Sequence, residues 1–251
     1  MAAISSQELP IMGYSGFPVT TVNEMRYIEA KECGLTALMQ SFTTAADARR
    51  CLDMAQKTGI KLLLSNHIIF QKDGREIAKA VKGHHSNLAY GAQGLWYYNY
   101  KKGPVPPAKM FSQGHPIAPD GRRSTVYERM RRVNNEFQDR AFVFLGAKVD
   151  KVSHTGKAIP LGTKRLSLKE LPSWVRKLET PDGGAVVSQL TNNGKNYLVV
   201  VNRSPDKELT LKLDLIKGVK RVRYDGSVVD ASLYTNEFWL DPGMAEIFQA
   251  P

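Results

Sequence analysis

The sequence predicts an α/β domain followed by an all-β domain, and three features carry that expectation. Short apolar runs at 11–14, 35–41 and 60–65 begin about 25 residues apart, the length of one strand, one helix and two loops. The stretches between them carry helix start and stop signals. From about Phe142 onward the apolar period falls from 3.6 to 2, with strands separated by turn residues. The boundary is therefore placed between residues 140 and 141, giving a β/α domain over 1–140 and a β domain over 141–251.

In the first βα unit, the run Ile11 to Tyr14 precedes a capping box of Thr21 and Glu24. Met25, Ile28 and Cys33 then form an apolar stripe, and Gly34 ends the helix. The second unit repeats this grammar. Thr44 and Asp47 open it, Ala48, Cys51, Leu52 and Ala55 line one face, and Gly59 closes it before the strand Ile60 to Ser65. Connections of this length cross over, so the strands are expected to be parallel and covered by helices. A third helix is expected from about Gly74 to Val81, followed by a turn within Asn87 to Tyr100 that leads into a fourth, aromatic strand. The stretch Lys101 to Arg123 holds Pro104, Pro106, Pro107, Pro116 and Pro119, and is too long for a plain connection. Thr125 and Glu128 cap a last helix whose Val126, Met130, Val133 and Phe137 recur at i, i+4, i+7 and i+11.

In the second half, strands are expected at Ala185–Leu190, Tyr197–Asn202, Leu209–Leu213, Arg221–Tyr224 and Phe238–Leu240. The clearest hairpin runs AVVSQL, then Thr191 to Gly194, then YLVVVN, and Asp225-Gly226 marks a second tight turn. An antiparallel sandwich of roughly 100 residues fits this segment. No cluster of His, Cys or carboxylates in it has metal-ligand spacing, so no metal or other cofactor is expected and the half reads as a structural or accessory module.

With 251 residues, 42% of them hydrophobic and 24% charged, the chain has the composition of an ordinary globular protein. No run approaches the ~18 apolar residues of a membrane span, and the opening MAAISSQELP lacks the basic and apolar regions of a signal peptide. Cys33 and Cys51 both fall in helical patterns and read as buried free thiols. The net charge of +11 raises the question of a polyanionic partner. Lysines are spread over the whole length, however, and the one dense group, Arg122, Arg123, Arg129, Arg131 and Arg132, sits on or just before an amphipathic helix. That group reads as a solvated helix face, and nucleic-acid binding is the weakest of the functional readings.

The segments GYSGFP (Gly13 to Pro18), QKTGIKLLLS (Gln56 to Ser65), LAYGAQGLWYYNY (Leu88 to Tyr100) and RVNNEFQDRAFVFLGAKVDKVSHTG (Arg132 to Gly156) resemble, in order, pieces of (β/α)-barrel glycoside hydrolases of the β-galactosidase and clan A type. The resemblance implies barrel strands one to three in the first segments, the eighth barrel strand at YGAQG, and a C-terminal β-sandwich from about Phe142. YLVVVNRS and LDPGMAEIF would supply strands of that sandwich. It also implies an O-glycoside as the family's substrate and an extracytoplasmic setting.

A whole barrel needs eight strands and about 200 residues or more, whereas Ile11 to Arg140 holds four recognisable strands in roughly 130 residues. The expectation is therefore a partial barrel lacking strands four to seven. Glycosidases use two carboxylates, and in this family they end strands four and seven. No Asn-Glu-Pro or Asp-Glu-Pro triplet occurs, and no catalytic residue is assigned. Asp73 and Glu76, just after the third strand, come closest and read as a helix start. Because these folds place their sites at the C-terminal ends of strands, the candidate sugar contacts are Tyr14, Phe17, Asn66, His67, Trp96, Tyr98 and Tyr100. Aromatic rings can stack on sugar C–H faces while Asn and His bond hydroxyls. The same aromatic residues also fit a plain core stripe. The reading is thus a glycoside-hydrolase-like protein, with a non-catalytic carbohydrate binder or remnant as its alternative. Open edges on a four-stranded sheet would favour self-association.

Overall fold

A computed structural model of the chain describes residues 8–13, 16–18, 20–41, 45–65, 85–97, 100, 116–118, 120–231 and 237–251. The helix expected over 74–81 and most of the proline-rich stretch lie outside them. The described residues divide into two compact units. One draws on 8–81 and 94–138, the other on 82–93 and 139–251.

The first unit holds β1 (Ile11–Gly13), β2 (Ala37–Ser41), β3 (Lys61–Ser65) and β4 (Leu95–Tyr97) in one parallel sheet of order β3-β2-β1-β4. Met12 faces Ala37 of β2 on one side and Trp96 of β4 on the other, so the short first strand is central. β2 and β3 pair over their full length, from Ala37 opposite Lys61 to Ser41 opposite Ser65.

Three helices belong with this sheet: α1 (Glu24–Glu32), α2 (Ala45–Thr58) and α3 (Thr125–Asp139). The cap of α1 is Asn23, whose Oδ1 accepts from the Arg26 amide, rather than the expected Thr21; the Thr21 hydroxyl instead donates to the Pro18 carbonyl. The buried stripe is Tyr27, Ala30 and Cys33, not Met25 and Ile28, and Met25 is 67% exposed. Likewise α2 buries Cys51 and Ala55 while Leu52 faces outward. α3 is capped by Ser124, whose Oγ accepts from the Val126 amide, and it buries Tyr127, Met130 and Phe137 with the polar Asn134.

Polar side chains complete the packing. The Tyr127 hydroxyl donates to the Glu29 carbonyl at 2.6 Å, and Asn134 donates to the Cys33 carbonyl at 2.9 Å while accepting from the Tyr97 hydroxyl at 2.6 Å. Gln138 exchanges two bonds with the backbone of Leu9, both 2.9 Å, just before β1. The end of α1 is a Schellman turn: the Gly34 amide bonds the Lys31 carbonyl and the Leu35 amide bonds the Ala30 carbonyl.

The second unit is built from antiparallel strands: β5 (Lys148–His154), β6 (Val175–Glu179), β7 (Ala185–Asn192), β8 (Lys195–Asn202), β9 (Leu209–Leu215), β10 (Lys220–Val222), β11 (Val228–Asp230), β12 (Glu237–Leu240) and β13 (Ala245–Gln249). They form a six-stranded sheet of order β11-β10-β13-β8-β7-β5 and a three-stranded sheet of order β12-β9-β6. Leu178, Leu211 and Phe238 of the smaller sheet and Val187, Val200 and Phe248 of the larger share one core. The expected β7–β8 hairpin is present, but its strands run two residues further, so the turn is Asn193-Gly194 alone. The strand expected at Arg221 to Tyr224 ends at Val222. The polar β5 and β6 and the three-residue β11 are not expected as strands from the apolar pattern. The short helix α4 (Ala141–Phe144) and the helical residues 85–89 pack on β7 through Asn192 and through Ser188, whose hydroxyl donates to the Ala89 carbonyl at 2.7 Å.

Gly34 and Gly59 both end helices at positive φ, +79° and +72°, but a Cβ on Gly34 would lie 2.6 Å from Asn134 Cβ, whereas one on Gly59 would meet nothing. Both Ala variants carry backbone strain of about 1 kcal/mol. Gly34→Ala adds a clash in the α1–α3 contact and is expected to lower stability by about 2–4 kcal/mol, clearly more than Gly59→Ala. Urea unfolding midpoints of the two variants check this, and equal losses would contradict the packing described.

Candidate functional site

In the first unit, Phe17 and Tyr100 are fully buried, their rings meeting edge to face at 5.9 Å. Neither presents a ring face to solvent. Trp96 occupies the middle of β4 opposite Met12, and its neighbour Tyr97 is the aromatic of that strand bonded to Asn134. Tyr14, Asn66, His67 and Tyr98 lie outside the described residues. Glu29, a buried carboxylate of this unit, accepts from Arg26 at 2.8 Å and from Arg123 at 2.5 Å. The arginine-rich group is largely neutralised: Arg122 pairs with Asp120, Arg123 with Glu29 and Glu32, and Arg131 with Glu128. Among the described residues no group of three His, Cys, Asp or Glu side chains could hold a metal, and no helix is long and apolar enough to cross a membrane.

The second unit contains an open cleft of about 900 Å³ formed by His154 at the end of β5, residues 155–158, 165, 166 and 168, the stretch 178–184 and Arg203. His154 closes β5 and is 2% exposed. Its Nδ1 lies 3.3 Å from Arg203 Nη1, and its Nε2 lies 2.6 Å from the Tyr90 hydroxyl. A guanidinium only donates, so Nδ1 is the acceptor and the proton sits on Nε2, bonded to Tyr90. Burial, and secondarily the Arg203 charge, push the imidazole below its ordinary pKa of 6.5 and keep it neutral.

Two arginines hold one loop. Arg165 donates to the carbonyls of Gly156 at 2.5 Å and Lys157 at 3.0 Å, and Arg203 donates to the carbonyl of Ala158 at 2.6 Å. Three consecutive carbonyls are thus captured. Gly184 makes room for this arrangement, since a Cβ there would strike the Arg203 guanidinium. Among the described residues neither guanidinium has a carboxylate partner. The rim carboxylates are engaged elsewhere: Asp182 accepts from the Thr210 amide at 2.9 Å and its hydroxyl at 2.5 Å, and Glu179 pairs with Lys177 at 2.9 Å. The Thr210 bonds hold the Asp182 carboxyl below its usual range. Leu166, Leu168, Leu178 and Pro181 give the cleft an apolar wall.

The sequence of this half carries the pattern of a structural module, and nothing in it singles out His154, Arg165 or Arg203. Each stands alone in its segment, so the group has no spacing that a linear pattern reveals.

His154 titrates at a lower pH in the folded chain than in the unfolded one. As pH falls below about 6.5 the unfolded state takes up a proton that the folded state resists, and stability declines until the folded pKa is passed. The depressed carboxylates Asp182 and Asp150 act in the same direction, but only toward the lower carboxylate range. Urea midpoints between pH 8 and pH 5 are therefore expected to fall less in His154→Gln than in the parent chain. Parallel pH profiles for the two proteins would contradict the assignment.

No family of known sequences matches the chain, and no curated protein matches it. Among solved structures it is similar to the α-fucosidase of Thermotoga maritima, with 8% identity and a TM-score of 0.30 over 86% of this chain and 39% of that one. It is also similar to the γ-CGTase of an alkalophilic Bacillus clarkii, with 15% identity and a TM-score of 0.28 over 97% of this chain and 36% of that one. The chain spans well under half the length of either.

Proposed function

We propose that the chain is a carbohydrate-active protein of glycoside-hydrolase type, a partial (β/α) barrel with a β-sandwich, that binds glycans rather than cleaving them. One observation carries the barrel reading. The last βα pair of the first unit folds back onto its first: β4 lies parallel beside β1, and α3, which follows β4, bonds directly to α1 through Tyr127 and Asn134. In a closed barrel the eighth strand pairs with the first and the helices share the outer face.

The order β3-β2-β1-β4 also begins a doubly wound nucleotide-binding sheet. In that fold the chain reverses direction at β1, so right-handed crossovers put the helix after β4 on the opposite face from α1. The contact between α3 and α1 favours the barrel type. The sequence from the end of β1 onward, GYSGFP, also lacks the G-x-G-x-x-G spacing of a pyrophosphate loop.

The carbohydrate assignment itself rests on the four segments that resemble barrel glycosidases. Binding without turnover follows from the residues that directly succeed the four strands, Tyr14, Phe42, Asn66 and Tyr98, which include no carboxylate for a reaction that needs two.

Native affinity electrophoresis through gels containing neutral polysaccharides, run beside a nitrophenyl glycoside panel, tests the proposal. Retardation by at least one polysaccharide with no nitrophenol release is expected. Lack of retardation by any glycan, together with DNA binding that weakens steeply with salt, would replace it with a polyanion-binding function. Turnover abolished by replacing one carboxylate would overturn the non-catalytic part and identify the catalyst.

A further inference from the structure

We infer that the cleft beside β5 is a binding site for an acidic saccharide, a sugar ring bearing a carboxylate or sulfate. The saccharide part rests on the carbohydrate reading above, whereas the anion part rests on the cleft alone.

The charge pattern is the first argument. Arg26, Arg50, Arg122, Arg123, Arg131, Arg176 and Arg221 each sit within ion-pair distance of a carboxylate. Arg165 and Arg203 differ: both face one cleft and bond only backbone carbonyls and the neutral His154. A guanidinium carries five N–H donors, and the bonds described use only the terminal nitrogens of each, leaving the Nε–H of both for a ligand. Lys157 adds a third positive charge to the lining, while Asp182 and Glu179 are committed to Thr210 and Lys177.

Preorganisation is the second argument. The loop carbonyls and His154 hold the guanidiniums in place before any ligand arrives, which lowers the ordering cost of binding. A paired carboxylate or sulfate matches the planar donor fork of arginine.

Shape and polarity decide the ligand class. A volume of about 900 Å³ admits more than a bare inorganic ion. The aliphatic wall of Leu166, Leu168, Leu178 and Pro181 suits the C–H face of a pyranose, and the lining contains no Phe, Tyr or Trp side chain to stack a nucleobase.

Calorimetry on the full chain tests this with a galacturonic acid oligosaccharide, the neutral galactose oligosaccharide of equal length, and inorganic sulfate. The acidic oligosaccharide is expected to bind at least tenfold more tightly than the neutral one. Arg165→Gln, an exposed side chain whose loss leaves the core intact, is expected to weaken it about tenfold, and Arg203→Gln by at least as much, while Arg131→Gln leaves it unchanged. Unfolding midpoints confirm that the variants are folded.

Equal affinity for the acidic and neutral oligosaccharides, or an unchanged affinity in folded Arg165→Gln, would overturn the inference and leave the carbohydrate reading standing. Sulfate binding without binding of either oligosaccharide would overturn the saccharide assignment. If neither oligosaccharide nor sulfate binds, and no neutral polysaccharide retards the chain, both readings fall.

Discussion

The first unit depends on the satisfaction of one buried amide. Asn134 sits on α3 with its side chain fully enclosed, where an unpaired amide would cost roughly 1–3 kcal/mol per missing bond. Its nitrogen donates to the terminal carbonyl region of α1 at Cys33, and its oxygen accepts from Tyr97 at the end of β4. A helix, its neighbouring helix and a strand are therefore fixed by the same side chain. Tyr127, two turns earlier on α3, repeats the attachment to α1 at Glu29, and Gln138 extends it to Leu9, two residues before β1. These links are consistent with the placement of β4 beside β1, since α3 bonds the end of β4 and the residue two before β1.

The second unit uses amides in the same way at the ends of its hairpin strands. Asn192 ends β7 and donates to carbonyls of Phe142 and Leu145, tying α4 to the sheet. Asn202 ends β8 and donates to carbonyls of Lys207 and Leu240, which sets the direction of the chain as it leaves the strand. The next residue is Arg203, so the cleft inherits its position from a structural cap. Between the interior strands β13 and β10 of the larger sheet, Glu246 is buried and satisfied by a two-pronged bond from Arg221, 2.7 Å on each side, an arrangement whose rupture would leave a buried charge.

Strand positions were the most legible part of the sequence, because unbroken apolar runs such as LLLS and YLVVVN admit few other placements. Helix ends and faces were less so. Thr21 satisfies a capping pattern as well as Asn23 does, and only the chain path past Pro18 decides between them. The stripe of α1 is set by the neighbours it meets, so Tyr27 turns inward toward Phe17 and toward Cys51 of α2, and Met25 outward, although both are apolar. Strands β5 and β6 carry lysines and arginines on their outer faces and too few apolar residues to mark them. The cleft was invisible for a different reason: His154, Arg165, Gly184 and Arg203 come from four separate segments, and only the paired sheet brings them together.

The last strand of the first unit lies beside the first, and cross-strand nuclear Overhauser effects measure that adjacency directly. Parallel-type backbone contacts are expected from Ile11–Gly13 to Leu95–Tyr97 on one side, with Met12 opposite Trp96, and to Ala37–Leu38 on the other. Contacts from Leu95–Tyr97 to Lys61–Ser65 instead would place β4 next to β3, a sheet built in chain order, and would contradict it.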